Sequence, residues 1–485
     1  MLDLSSSSSM PRSAAAAVKT YSPFVGFCFI INYIVGTGFL GIPYVFWNTG
    51  VIAGVATLVV ISMAIAIPAI WTLEVMARAQ AIDDVDSSRV QADSEMKAVF
   101  RIETDRHFEV SELCRIFLGR VGGAVYLVLI LIYLFIGQWL TGPVAGTAWS
   151  SNLPLNFGTF RQCSQADFNG VLHPSDGCWN SYALCILFFA IIVVPLSCLD
   201  LKEQEIVQVT LSITRFVVIT SIIIYSIVAE VKGYKGHESV DPPPNSTVKE
   251  HVLGFKMNGF LATLPVVIYA QMLHVAIPSL VQPINDKRHL GRLFWLIFAT
   301  TSVIYGVLGV TAAVYLKYSV NEQCTLNWAD TTSSGHSMLL RVYSYFVVIF
   351  PSLDVLSAYP LGAIIMANMV EYLFTGNPRV QSGRFFVTVN RFVWATLPLI
   401  CSVYLSDLVE LDKFAGLPAF CAAFIFPAFL QWRSVKMCQN RFGTSITPYT
   451  SRWVSGFGVV GVVFAFGVVI TIATFVSFFL PHSLA

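Results

Sequence analysis

Asn32-Tyr33-Ile34-Val35-Gly36-Thr37-Gly38-Phe39-Leu40-Gly41-Ile42-Pro43 puts three glycines and a proline within eight residues of an otherwise apolar stretch. Glycine disfavours a helix interior by about 1 kcal/mol relative to alanine, and proline by about 3. The cluster predicts a helix that unwinds midway and frees backbone N–H and C=O groups. Such groups are costly in lipid, so a broken helix belongs against protein or a watery cavity. Close helix packing is the other use of Gly-x-Gly. Gly36-Thr37-Gly38-Phe39-Leu40-Gly41 also matches the dinucleotide pattern GxGxxG. That fingerprint requires a preceding strand and an acidic residue about 20 positions on, whereas positions 55–65 hold no Asp or Glu. Dinucleotide binding is rejected.

The rest of the chain has membrane-protein chemistry. Of 485 residues 55% are hydrophobic and 12% charged, about half the charged share of soluble domains. A net charge of +1 offers no electrostatic basis for nucleic-acid binding. Ten cysteines without a CxxC pair argue against a zinc module. A hydrocarbon core ~30 Å thick takes about 20 apolar helical residues to cross. Eleven such runs occur, at 22–47, 51–77, 121–148, 180–199, 205–230, 258–282, 291–317, 341–372, 384–405, 413–432 and 453–480. They define an all-α polytopic membrane protein occupying residues 21–480. Residues 1–20 are expected to be a disordered cytosolic tail without a cleavable signal peptide, and 481–485 a short outer tail.

Positive charge sets the orientation. With the N-terminus in the cytosol and the C-terminus outside, 20 Lys and Arg lie on the inner side and 7 on the outer, with Arg215 and Arg341 inside spans. The sequon Asn245-Ser246-Thr247 then falls in the outer loop 231–257, where glycosylation can occur. Cys163 and Cys178 share the outer loop 149–179 and are candidates for a local disulfide. Cys324 is the alternative partner, and three free thiols are the other option. The inner loop 78–120 is polar until Phe108-Glu-Val-Ser-Glu-Leu-Cys-Arg-Ile-Phe117, whose apolar residues recur at helical spacing. That segment reads as an amphipathic helix on the inner leaflet.

The sixth span carries a second interruption. Leu264-Pro265-Val-Val-Ile-Tyr269-Ala-Gln271-Met-Leu-His274-Val-Ala-Ile-Pro278 brackets Tyr, Gln and His between two prolines. Breaks in spans one and six occupy matching positions of two five-helix halves, the sign of inverted repeats that hold substrate and coupling ion at the midplane. Helix N-termini suit a carboxylate, and unwound carbonyls suit an ammonium group or a cation. The expected ligand is zwitterionic, with Tyr269 and Gln271 among its contacts.

The run at 32–43 resembles the first helix of the amino acid/auxin permeases, a branch of the amino acid–polyamine–organocation superfamily. His274-Val-Ala-Ile-Pro278-Ser-Leu, with Pro283 and Lys287-Arg288-His289, resembles the end of their sixth helix. Within that family the acidic inner loop, Phe108-Glu109-Val110 and the Ser279-to-Arg292 stretch are most similar to the transmembrane protein 104-like group. The resemblance implies a LeuT-type 5+5 inverted-repeat bundle plus an eleventh helix, with helices 1 and 6 broken, and amino-acid transport. Asn32 matches the first-helix asparagine that sodium-coupled relatives use near their cation. Gly36, Thr37 and Gly38 match the loop that holds the substrate carboxylate. Those relatives take a second cation ligand from an eighth-helix hydroxyl. Here Ser352 and Ser357 stand nearby, but so does Asp354, a departure from the sodium-site pattern.

Two ionisable residues lie deep within spans. Each costs about 2.5–3.5 kcal/mol at a helix centre. Rise per residue places Arg215 about 15 Å from the inner side and Asp354 about 10 Å from it. The LeuT-type fold that the resemblance implies brings the fifth and eighth helices to the first near its break, so the two are expected to pair there, or Arg215 to stand where other carriers place sodium. Two unit charges ~5 Å apart at an effective dielectric near 20 repel by roughly 3 kcal/mol, which favours H⁺ over Na⁺ as the coupling ion. Asp354 is then the expected proton carrier ahead of His274, and Arg215 the fixed charge. The expected function is secondary active transport of amino acids, with Na⁺ coupling or a non-transporting amino-acid sensor as alternatives. No enzyme motif (HExxH, GxSxG or Walker) occurs. No cofactor or metal is expected beyond the coupling ion. The partners are the amino-acid substrate and the lipid bilayer.

Overall fold

The computed structural model describes residues 20–89, 100–104, 108–168, 176–198, 205–233, 248–329, 338–375 and 383–479. Both terminal tails and the sequon at Asn245 lie outside the described residues. Among the described residues the chain is all-α. Nine helices are long and apolar enough to cross a bilayer. A tenth crossing is a bent pair, α1 (Pro23–Ile34) and the Thr37–Thr49 segment, which includes α2 (Ile42–Thr49), related by 54°.

The break in the first crossing falls where the glycines stand. α1 ends at Val35, a 3₁₀ turn spans Thr37–Phe39, and α2 starts at Ile42. The sixth apolar run is broken in the same way. α8 (Met257–Ala270) stops, Gln271–Ala276 is not α-helical, and the short α9 (Ile277–Val281) follows. Each half-helix that follows a break opens on Ile-Pro, with Pro43 and Pro278 in the first two positions. Proline suits that place, because its missing N–H would have no helical partner there.

The other helices are α3 (Val51–Arg89), α4 (Val110–Asn152), α5 (Gly177–Cys198), α6 (Glu205–Val231), the short α7 (Val248–Leu253), α10 (Leu290–Leu316), α11 (Met338–Thr375), α12 (Arg384–Tyr404), α13 (Leu408–Phe420), α14 (Phe426–Phe442) and α15 (Phe457–Ser477). A π-helical turn at Cys421–Ile425 joins α13 to α14. α4 packs against α5, α11, α12 and α13, while α8 packs against α2 and α13.

Two features differ from expectation. α3 continues twelve residues beyond 77, to Arg89. Glu74 and Arg78, in its C-terminal half, are buried, at 0% and 1% exposure. Arg78 was expected in a solvated loop. Instead its guanidinium donates to Glu74 at 2.6 Å, Gln431 at 2.8 Å, Ser434 at 3.0 Å and the Ser445 carbonyl at 3.0 Å. Protein groups from α14 and the segment after it thus replace water around the pair, which lets the helix continue. The second difference concerns the 108–117 segment. It opens α4, turns sharply at Gly119 (φ 80°), and buries Leu113, Cys114 and Phe117 in the protein core. Its apolar face therefore meets protein.

Candidate functional site

The two breaks touch. A Cβ on Gly38 would lie 2.5 Å from the Ala270 Cα and 2.7 Å from its Cβ, so only glycine lets the first-helix turn rest on the end of α8. The Tyr305 hydroxyl of α10 lies 3.1 Å from the Ile34 carbonyl and 2.9 Å from the Ala270 carbonyl, one from each interrupted helix. Breaking a helix orphans its last carbonyls, and this hydroxyl serves two of them in alternation.

Arg215 serves two more. One terminal nitrogen, Nη1, donates to the Val35 carbonyl at 2.6 Å, the Asn32 carbonyl at 3.0 Å and Asn32 Oδ1 at 3.1 Å. The other terminal nitrogen meets both Asp354 carboxylate oxygens at 2.7 and 2.8 Å, and Nε meets Asp354 Oδ2 at 3.2 Å. Arg215 is 8% exposed and Asp354 4%. A planar fork matched to a carboxylate on one side and helix-end carbonyls on the other is a geometry arginine fits and lysine does not. A permanent positive charge at the C-terminal end of α1 also opposes the negative end of that helix dipole.

The remaining expected residues divide. Thr37, Gly38 and Tyr269 line a cleft beside the first break, whereas Gly36 does not. Gln271 is buried and donates to Ser62 of α3, and His274 is buried beside Ile65 of the same helix, its ring nitrogens without a hydrogen bond of normal geometry. Neither lines the cleft. Ser352 accepts from the Trp149 indole at 2.7 Å and donates to the Ile349 carbonyl, while Ser357 donates to the Asp354 carbonyl at 3.0 Å. The two hydroxyls are thus engaged elsewhere, and Arg215 holds the Asn32 side chain. Cys163 and Cys178 form a disulfide, and Cys324 is buried and free.

The cleft also holds acids that the sequence reading passed over. Glu322 and Asp412 line it, across from Thr37, Gly38 and Gly41. Asp412 sits in the second turn of α13, which starts with a cap signature, Asp407-Leu-Val-Glu410. The Glu410 amide donates to Asp407 Oδ1 at 2.9 Å. Glu322 comes from the connection between α10 and α11. That connection is pinned over the first break by the Cys324 amide, which donates to the Leu40 carbonyl at 3.0 Å. On α4, the Thr147 hydroxyl donates to Gln323 at 2.9 Å. Burial, and then the neighbouring Asp407 carboxylate, push the Glu322 carboxyl up from 4.5 to about 8, although the Val409 and Leu408 amides at the start of α13 act in the opposite sense. The readable signal was the acid run 407–412 just before an apolar helix. Drawing the span from 413 hid it.

A bundle of apolar helices with two interrupted crossings meeting at a cleft that two acidic side chains line is the architecture of a membrane carrier. The chain belongs to the transmembrane amino acid transporter protein family, which it matches over residues 19–473. It is similar to "Transmembrane protein 104" of Mus musculus, 24% identical over 470 residues that cover 88% of this chain and 90% of that protein. The Homo sapiens protein of the same name is 23% identical over 474 residues, with the same coverage. The Drosophila melanogaster homolog is 23% identical over 496 residues, covering 90% and 93%.

Proposed function

We propose that the protein is a secondary active transporter that carries amino acids through the cleft between its two broken helices, coupled to H⁺ and not to Na⁺. Taken as one crossing, α8 and α9 bring the count to eleven, and the bundle is then of the LeuT type, with helices 1–5 and 6–10 as inverted repeats. The observation that carries the choice of ion is Arg215. Its guanidinium occupies the Asn32 and Val35 carbonyls that an added cation would seek. A sodium ion there would meet a fixed like charge.

The protonation step is assigned to Glu322. Asp354 is paired with the permanent cation of Arg215. Glu322, raised to about 8, is neutral at pH 7 and loses its proton as pH climbs through that value. The sign follows directly: contacts that depend on neutral Glu322 hold fully below pH 4.5 and are lost as pH rises through about 8. An acidic outer side thus protonates the carboxyl at the cleft, and an alkaline inner side releases it.

The test is uptake of labelled amino acids into proteoliposomes under a pH gradient without sodium, compared with a sodium gradient at equal pH. Uptake driven by the pH gradient alone is expected. Its dependence on outer pH should have a midpoint near 8, and Glu322→Gln should flatten that dependence. Uptake that requires sodium and ignores pH would return the coupling ion to Asn32 and an eighth-helix serine.

The orientation, N-terminus inside and C-terminus outside, has its own check. Expressed through a eukaryotic secretory pathway, the chain should carry a glycan on Asn245. Asn245→Gln should abolish the glycosidase-sensitive mobility shift. Protection of residues 231–257 from external protease, with exposure on the cytosolic side, would reverse the orientation.

A further inference from the structure

The charge inventory of the cleft is one-sided. Two acidic residues line it, Asp412 and Glu322 (the latter neutral at pH 7), and no Lys, Arg or His does so among the described residues. Lys413, next in sequence to Asp412, is committed to Glu410 at 2.6 Å. Arg215 is committed to Asp354 and the α1 carbonyls. Asp412 makes no hydrogen bond within the described protein, and its Oδ1 is fully enclosed without a partner. Its Oδ2 lies 4.0 Å from where a Gly41 Cβ would stand, so the carboxylate looks across the cleft onto the first-helix break.

A buried carboxyl in this state lacks donors whichever form it takes. Ionised, it needs N–H groups. Protonated, it carries an O–H that finds no acceptor. A ligand group with several N–H donors and a positive charge supplies the donors and the counter-charge that the ionised form needs. The other charged end of an amino acid has its own place. The amides of Thr37 and Gly38 are outside any α-helical ladder, beside the N-terminal end of α2, where a carboxylate is favoured. Of the carbonyls at the breaks, those of Asn32 and Val35 are covered by Arg215, and those of Ile34 and Ala270 share the Tyr305 hydroxyl. A neutral amino acid would leave the negative charge of an ionised Asp412 unbalanced. One with a basic side chain balances it.

We propose that the substrates are amino acids with a positively charged side chain, of the lysine and arginine class, and that Asp412 is the residue that selects them. The inference rests on the transport reading given above and adds the substrate class to it.

The test compares L-arginine with L-citrulline, which keeps the shape and removes the charge. Binding of each to the purified full-length protein is measured by competition with labelled L-arginine, and uptake of each is measured in proteoliposomes. L-arginine is expected to bind at least roughly thirtyfold more tightly than L-citrulline, as for loss of one buried charge partner. Asp412→Asn should bring L-arginine down to the level of L-citrulline, while Asp412→Glu should restore part of the difference. Equal wild-type affinity for the two ligands overturns the inference and needs no variant to do so. So does transport of labelled L-leucine with rejection of L-arginine, an outcome that leaves the transport reading standing. An Asp412→Asn protein that keeps its arginine preference but loses pH dependence makes Asp412 a proton carrier and also overturns it. A protein that binds no amino acid of either class removes the transport reading and the inference together.

Discussion

Arg215→Ala is expected to give the largest loss of stability of any single change in the bundle. The guanidinium satisfies Asp354 through both carboxylate oxygens and covers two carbonyls at the end of α1. Removing one partner of a buried ion pair leaves an uncompensated charge, at a cost of about 3–5 kcal/mol. Orphaned carbonyls add about 1–3 kcal/mol each. The detergent-solubilised variant should melt far below wild type or lose its monodisperse elution. Arg215→Met with Asp354→Leu should recover much of that loss, because charge and counter-charge leave together. The single variant also reports on the site vacated. Asn32, Val35 and Asp354 would then present oxygen ligands to a small cation. Sodium at a hundred times its dissociation constant would stabilise by about 2.7 kcal/mol. A rise in melting temperature in NaCl over choline chloride, confined to Arg215→Ala, is expected if the arginine replaces a coupling cation. Equal melting in both salts would make it a structural strut.

This pair was legible from sequence because ionisable residues in the middle of an apolar run have few places to go. Arg215 and Asp354 stood more than nine residues from either end of their runs, and depth alone brought them level. The breaks were legible for a similar reason, since Gly36-Thr37-Gly38 and the prolines at 265 and 278 violate helix propensity inside apolar spans. What escaped was whatever lay near a span's end. Glu74 and Arg78 were assigned to the inner boundary and the loop beyond it, yet α14 buries them. Asp412 fell one residue outside a span drawn from 413, and Glu322 in a connection. Hydropathy marks where charge becomes frequent, but it does not show whether water or another helix covers that charge.

Faces at a break were equally hidden. Tyr269, the penultimate residue of α8, lines the cleft, whereas Gln271 and His274 turn toward α3. Along an intact helix the 3.6-residue period assigns faces. Across Gln271–Ala276 that period does not hold, so neighbours in sequence diverge in direction. Residue types mark which segment is polar, but not where each side chain points.

Gly38→Ala is expected to abolish substrate uptake, while Gly36→Ala changes it little. The contrast separates two roles for glycine in an unwound segment. If flexibility were the requirement, both substitutions would restrict the same short stretch and both would impair it. The geometry instead singles out one. At Gly36 an added Cβ meets only the Tyr33 carbonyl, at 4.0 Å, an ordinary contact. At Gly38 it meets the Ala270 Cα at 2.5 Å, which no rotamer change can relieve because the obstacle is backbone. The first-helix turn must then move off α8, and the Ile34 and Ala270 carbonyls that share the Tyr305 hydroxyl must separate. A misplacement of about 1 Å costs on the order of a hundredfold where function depends on fixed geometry. Uptake by Gly38→Ala should therefore fall at least that far, with membrane insertion and surface level unchanged. Ala270→Gly in the same chain should restore part of it by removing the Cβ–Cβ clash at 2.7 Å, though not the contact with Cα. Equal losses for Gly36→Ala and Gly38→Ala, with no rescue by Ala270→Gly, would assign the glycines to flexibility of the first helix and not to the close approach of its break to the sixth.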